Sequence, residues 1–156
     1  MKKNVIIKHI IFFCLFLEIE PVGFTVHATE NRQYDLYETI LFDDVQSNFG
    51  GHYNLLTSTF TCPHHGIYQF SVNFNAYWDY YMYIEIVRDG TVLGEAFAED
   101  TTEDGGDVYN NHASAFVIVE CKVNEKVWAR SGAGTGYLNG ATKYSQFSGF
   151  LLHRYT

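Results

Sequence analysis

Proline and positive charge are scarce in this chain. Of 156 residues, 2 are proline and 18% are charged, with Lys+Arg 10 against Asp+Glu 18 and a formal charge of -8. Few prolines beside 47% apolar and 17% aromatic residues exclude a collagen-like or disordered chain. The acidic balance repels nucleic acid and anionic lipid, so neither is expected as a partner. The apolar run from Ile10 to Leu17 is far shorter than the roughly 20 residues needed to cross a bilayer, so no membrane anchor is expected. Motifs of catalysis are missing too: there is no His-Glu-x-x-His, no Gly-x-Ser-x-Gly, no paired-cysteine metal pattern and no phosphate-loop glycine spacing. His64 and His65 are adjacent and on a strand would face opposite ways, while His52, His112 and His153 are isolated. An enzyme is not expected, and no cofactor is required. No Asn-x-Ser/Thr sequon occurs, which excludes N-glycosylation.

What is present begins with a secretory pattern. Lys2, Lys3 and Lys8 precede the apolar run, and Glu18, Glu20 and Pro21 follow it. Val26-His27-Ala28 has the small-residue spacing of a cleavage site, which gives a signal peptide over 1–28 and a mature chain from Thr29; cuts near Gly23 are the alternative. Residues 29–39 then form a short leading segment and 40–156 a single domain, secreted and extracellular. Cys14 leaves with the signal. Cys62 and Cys121 remain in an oxidising compartment, either as a disulfide or as two buried thiols, and spacing alone leaves both readings open.

The body of the chain reads as strands. Tyr68, Phe70, Val72, Phe74 and Ala76 alternate with Gln69, Ser71, Asn73 and Asn75, the period of a half-buried strand. Met82 to Val87 and Val92 to Ala98 flank Asp89-Gly90, a tight hairpin turn. Ala113 to Val119, Lys126 to Ala129 and Gln146 to Leu152 complete the set, and no stretch outside the signal has helical periodicity. An acidic segment from Glu99 to Asn111 and a Gly-rich one from Ser131 to Ala141 are expected as loops too polar to enter the core. Together these predict an all-β sandwich or jelly roll.

Against this background, Phe42, Asn48, Tyr53, Phe60, Gly66, Tyr68 and Phe70 stand at the spacings of the C1q globular domain signature. Phe60-Thr61-Cys62-Pro63 and the ending Phe147-Ser148-Gly149-Phe150-Leu151-Leu152 resemble the same family, as does Val127-Trp128. Val72 and Asn124-Glu125 depart from its pattern without disturbing strand or turn. Independently of the family, Tyr68 and Phe70 are successive inward rings, and Gly66 and Gly149 mark places where a side chain would obstruct the backbone. The resemblance covers about residues 40 to 156. It implies a ten-stranded jelly roll related to the tumour necrosis factor fold, assembled as a homotrimer. The chain is similar to head-only members, which are soluble recognition proteins of innate immunity.

Candidate sites follow. Asp104 and Asp107 in the acidic loop are oxygen donors of the kind calcium takes. Trp78 and Asp79, in the aromatic run Tyr77 to Tyr83, suit either a subunit interface or a sugar. Tyr137 and Asn139 in the Gly-rich loop are expected as ligand contacts. The expected function is multivalent, lectin-like binding of microbial or altered-self glycans. A cytokine-like signalling ligand and a structural matrix trimer are the alternatives.

Overall fold

In the computed structural model, residues 20–99 and 112–156 are described, and among them there is no helix. Twelve strands follow one another: β1 (Gly23–His27), β2 (Arg32–Tyr34), β3 (Asp44–Phe49), β4 (Tyr53–Asn54), β5 (Thr59–Thr61), β6 (Gly66–Asn75), β7 (Tyr81–Arg88), β8 (Thr91–Glu99), β9 (His112–Cys121), β10 (Lys126–Ser131), β11 (Gly136–Leu138) and β12 (Gln146–Arg154). One five-stranded sheet has the order β3-β1-β12-β6-β9 and the other β4-β5-β10-β7-β8, with β11 and β2 forming a separate two-stranded ribbon. The ten strands of the two large sheets make the expected jelly-roll sandwich. Asp89 and Gly90, both at positive φ (46° and 88°), close the expected hairpin between β7 and β8.

The core is aromatic. Phe42, Phe60, Tyr68, Phe70 and Phe147 are fully buried, and Tyr53 nearly so. Phe24 sits at their centre, with ring centroids 4.8 Å from Tyr53, 5.0 Å from Phe60 and 5.0 Å from Phe147. Asn48 ties the end of β3 in one sheet to the start of β4 in the other by donating from Nδ2 to the Tyr53 carbonyl and accepting the Tyr53 amide on Oδ1. Cys62 and Cys121 are buried and bonded to each other, fixing the chain ahead of β6 to the end of β9. Phe150 belongs to the signature segment but faces outward, and is 42% exposed.

Two expectations are corrected. The sandwich does not begin at residue 40. β1 lies inside the first sheet, paired antiparallel to β12 on one side and β3 on the other, with Val22, Phe24, Val26 and Ala28 buried. A cut after Ala28 would remove this strand; a cut ahead of Gly23 would retain it. The Gly-rich segment also enters the core, because β11 forms within it and Leu138 is fully buried.

Gly149 shows how tightly the rings are packed. A Cβ there would lie 2.4 Å from Phe70 Cδ1 and 2.8 Å from Phe24 Cε1. Gly149→Ala is therefore expected to lower stability by about 1–3 kcal/mol, the usual range for overpacking a core, as measured by the urea midpoint at unchanged slope.

Candidate functional site

The aromatic run does not continue as a strand. β6 ends at Asn75, Ala76 bridges to Leu138, and the Tyr80 amide donates to the Tyr77 carbonyl (3.0 Å) to close a turn. Asp79 takes φ 59° in that turn, a conformation that short polar residues tolerate better than most. The Tyr77 amide donates to the Tyr137 carbonyl at 2.9 Å, which joins the turn to β11. Tyr77, Tyr80 and Tyr137 consequently gather at one end of the sandwich. The Tyr77 and Tyr137 ring centroids are 4.7 Å apart at 30°, and Tyr80 and Tyr137 are 5.0 Å apart at 38°. Trp78 (56% exposed) and Tyr80 (45%) present their rings outward. Such a cluster can stack on the apolar face of a sugar while its phenols donate to hydroxyls, without an enclosed pocket.

Of the expected contacts, Trp78, Asp79 and Tyr137 are brought to this end. Asn139 is corrected: it is buried, and its groups hold the loop. Its amide donates to the Asn75 carbonyl, its carbonyl accepts the Ser145 hydroxyl at 2.7 Å, and its Oδ1 accepts the Thr142 hydroxyl at 3.4 Å. Tyr77 and Tyr80 are the members that alternation misplaces, since counting in twos assumes a strand where the chain turns. Asp104 and Asp107 lie outside the described residues. Among the described residues, no group of three or more His, Cys, Asp or Glu side chains could hold a metal ion. His65 instead pairs with Glu120 at 2.7 Å, and this bond holds the Glu120 carboxyl below its usual range.

A second surface lies on the outer face of the first sheet. Register places Phe49, Gly23, Phe150, Gln69 and Ile118 in one row across five strands, with Phe116 in the next row. Phe49, Phe116, Ile118 and Phe150 are all exposed large hydrophobics, up to 60% for Phe116. A band of this kind, bordered by Ser71 and Ser148, is a surface suited to a protein contact. Its sequence signal is the presence of large apolar residues at both parities of β9.

Comparison with known proteins agrees with this architecture. The C1q domain family matches residues 23–152. Caprin-2 from Danio rerio is 32% identical over 135 residues, which cover 85% of this chain and 14% of that protein. The chain thus spans about a seventh of that relative. In fold, the globular domain of zebrafish complement 1qA protein superposes with a TM-score of 0.67 at 20% identity, covering 86% of this chain and 99% of that one. The Eiger TNF of S. frugiperda superposes at 0.68 with 10% identity, covering 88% and 96%. The family match runs from β1 into β12 and joins the sheet order and ring core already described; the chain belongs to the C1q domain family.

Proposed function

We propose that this chain is a secreted, trimeric recognition protein that binds glycans of microbes or altered host cells through the tyrosine-lined end of each sandwich. Domains of this family are typically non-enzymatic ligand-binding modules that form trimers, which supports self-association and a binding role. The observation that carries the reading is the grouping of Tyr77, Tyr80 and Tyr137 beside exposed Trp78. The Cys62–Cys121 bond supports an oxidising, extracellular setting. Three equal weak sites on one trimer would hold a repeated ligand far more tightly than one site alone. A signalling ligand for a single receptor is equally compatible with the fold.

The test is an array of microbial and host glycans, probed with the protein starting at Glu20 and with its Tyr80→Ala/Tyr137→Ala variant, in calcium and in chelator. Selective binding by the parent and at least tenfold weaker binding by the variant are expected. The chelator lanes report whether calcium, bound by the segment carrying Asp104 and Asp107, takes part. A folded parent that leaves the array blank while binding one host receptor saturably would replace this reading with the signalling one.

A further inference from the structure

The outer face of the second sheet carries a separate strip of rings and carboxylates. On β7, Tyr81, Tyr83 and Glu85 point away from the core; opposite them on β8 stand Glu99, Phe97 and Glu95. Phe97 is 53% exposed, with its ring centroid 6.0 Å from Tyr81 at 26° and 6.4 Å from Tyr83 at 53°, so the three rings form an uneven platform on which Phe97 stands most exposed beside the half-buried tyrosines. Glu85 and Glu95 face each other directly across the ladder, an arrangement that like charges disfavour. Arg130 relieves only one of them: its Nε donates to Glu85 at 2.7 Å while its guanidinium lies 4.5 Å from the Tyr37 ring. Glu95 accepts the Tyr83 hydroxyl, which pushes that phenol up to about 12, and it has no ion pair with another described residue.

We propose that the Tyr81–Tyr83–Phe97 platform, with Glu95 at its margin, binds an arginine-rich segment of a partner protein. A guanidinium can lie over the exposed Phe97 ring and donate to Glu95, as Arg130 lies over the Tyr37 ring and donates to Glu85 on the same sheet. A second copy is the poorer occupant, because the chain's four arginines stand singly in the sequence and Arg32, Arg88 and Arg130 already pair with carboxylates of their own chain. The platform uses none of the side chains of the tyrosine-lined end, so the inference does not rest on the glycan reading.

Fluorescence anisotropy with labelled nona-arginine at physiological salt tests it, with nona-lysine as the equally charged comparison. Tighter binding of nona-arginine is expected, weakened about fivefold by Phe97→Ala and by Glu95→Gln and unchanged by Asp35→Asn, which removes the same charge elsewhere on the surface. Phe97→Leu keeps apolar bulk but removes the ring face, and is expected to weaken binding as Phe97→Ala does, so a folding defect in the alanine variant does not decide the matter. Equal effects of Glu95→Gln and Asp35→Asn would show attraction by net charge alone and overturn the proposal. So would parental affinity in both Phe97 variants, or loss of self-association in them by light scattering.

Discussion

A chain that begins at Thr29 is expected not to fold, whereas one that begins at Glu20 folds. β1 is an interior strand whose five residues pair with β12 on one side and β3 on the other. Removing it exposes the facing edges of both neighbours and takes the ring of Phe24 from the centre of the aromatic core. Burial of one Val or Phe side chain is worth about 1.5–3 kcal/mol, and Val22, Phe24 and Val26 are lost together. That sum is comparable with the about 5–15 kcal/mol by which whole domains are stable. Far-ultraviolet circular dichroism with urea titration reads the outcome: a cooperative transition for the longer chain and none for the shorter. Equal cooperative unfolding of both would show that β1 is dispensable. In the proposed secreted form, the signal cut then falls ahead of Gly23, and N-terminal sequencing of secreted protein locates it.

The second large effect concerns self-association. In the proposed trimer, Ile118→Glu, on the outer face of the first sheet, is expected to yield monomers while leaving the monomer fold intact. Ile118 is 59% exposed and aligned with Phe150 across Gln69, so the substitution disturbs no core contact. In an assembly that buries the band, the new carboxylate would be desolvated without a partner at each contact. Even about 3 kcal/mol per contact weakens the association more than a hundredfold. Light scattering coupled to size exclusion distinguishes the states, and melting curves verify the fold. An assembly unchanged by Ile118→Glu would move the subunit contact to another face, including the Trp78 turn.

The sandwich was legible wherever one face of a strand is buried and the other wet. Tyr68, Phe70, Val72 and Phe74 alternate with polar residues, and they line the core of β6 as that period requires. Gly149 reads as a close-approach position and is one; Gly66 reads as a conformational glycine, but its φ is not left-handed, and it too is a close approach, since a Cβ there would lie 2.2 Å from the His153 carbonyl oxygen. β1 was not legible, because Gly23–His27 offers only two inward residues directly after a secretory pattern, and Val26-His27-Ala28 coincides with cleavage-site spacing. The site was legible in composition but not in arrangement. Tyr77 to Tyr83 is visibly aromatic, yet the left-handed conformation of Asp79 turns the chain and sends Tyr77 and Tyr80 toward Tyr137. Asn139 looks like a loop-tip amide, and only long-range bonds from Ser145 and to Asn75 show it to be internal. Whether Cys62 and Cys121 are bonded depends on the folded path: the Gly66↔Cys121 register brings the end of β9 beside the segment ahead of β6, and the two Cα atoms come within 6.4 Å.

Nuclear magnetic resonance of the protein with the strongest-binding array glycan shows directly whether ligand binds at the tyrosine-lined end. Saturation transfer and shift changes confined to Tyr77, Trp78, Tyr80 and Tyr137 are expected. Shifts centred on the outer face of either sheet, with these four residues unmoved, would contradict it.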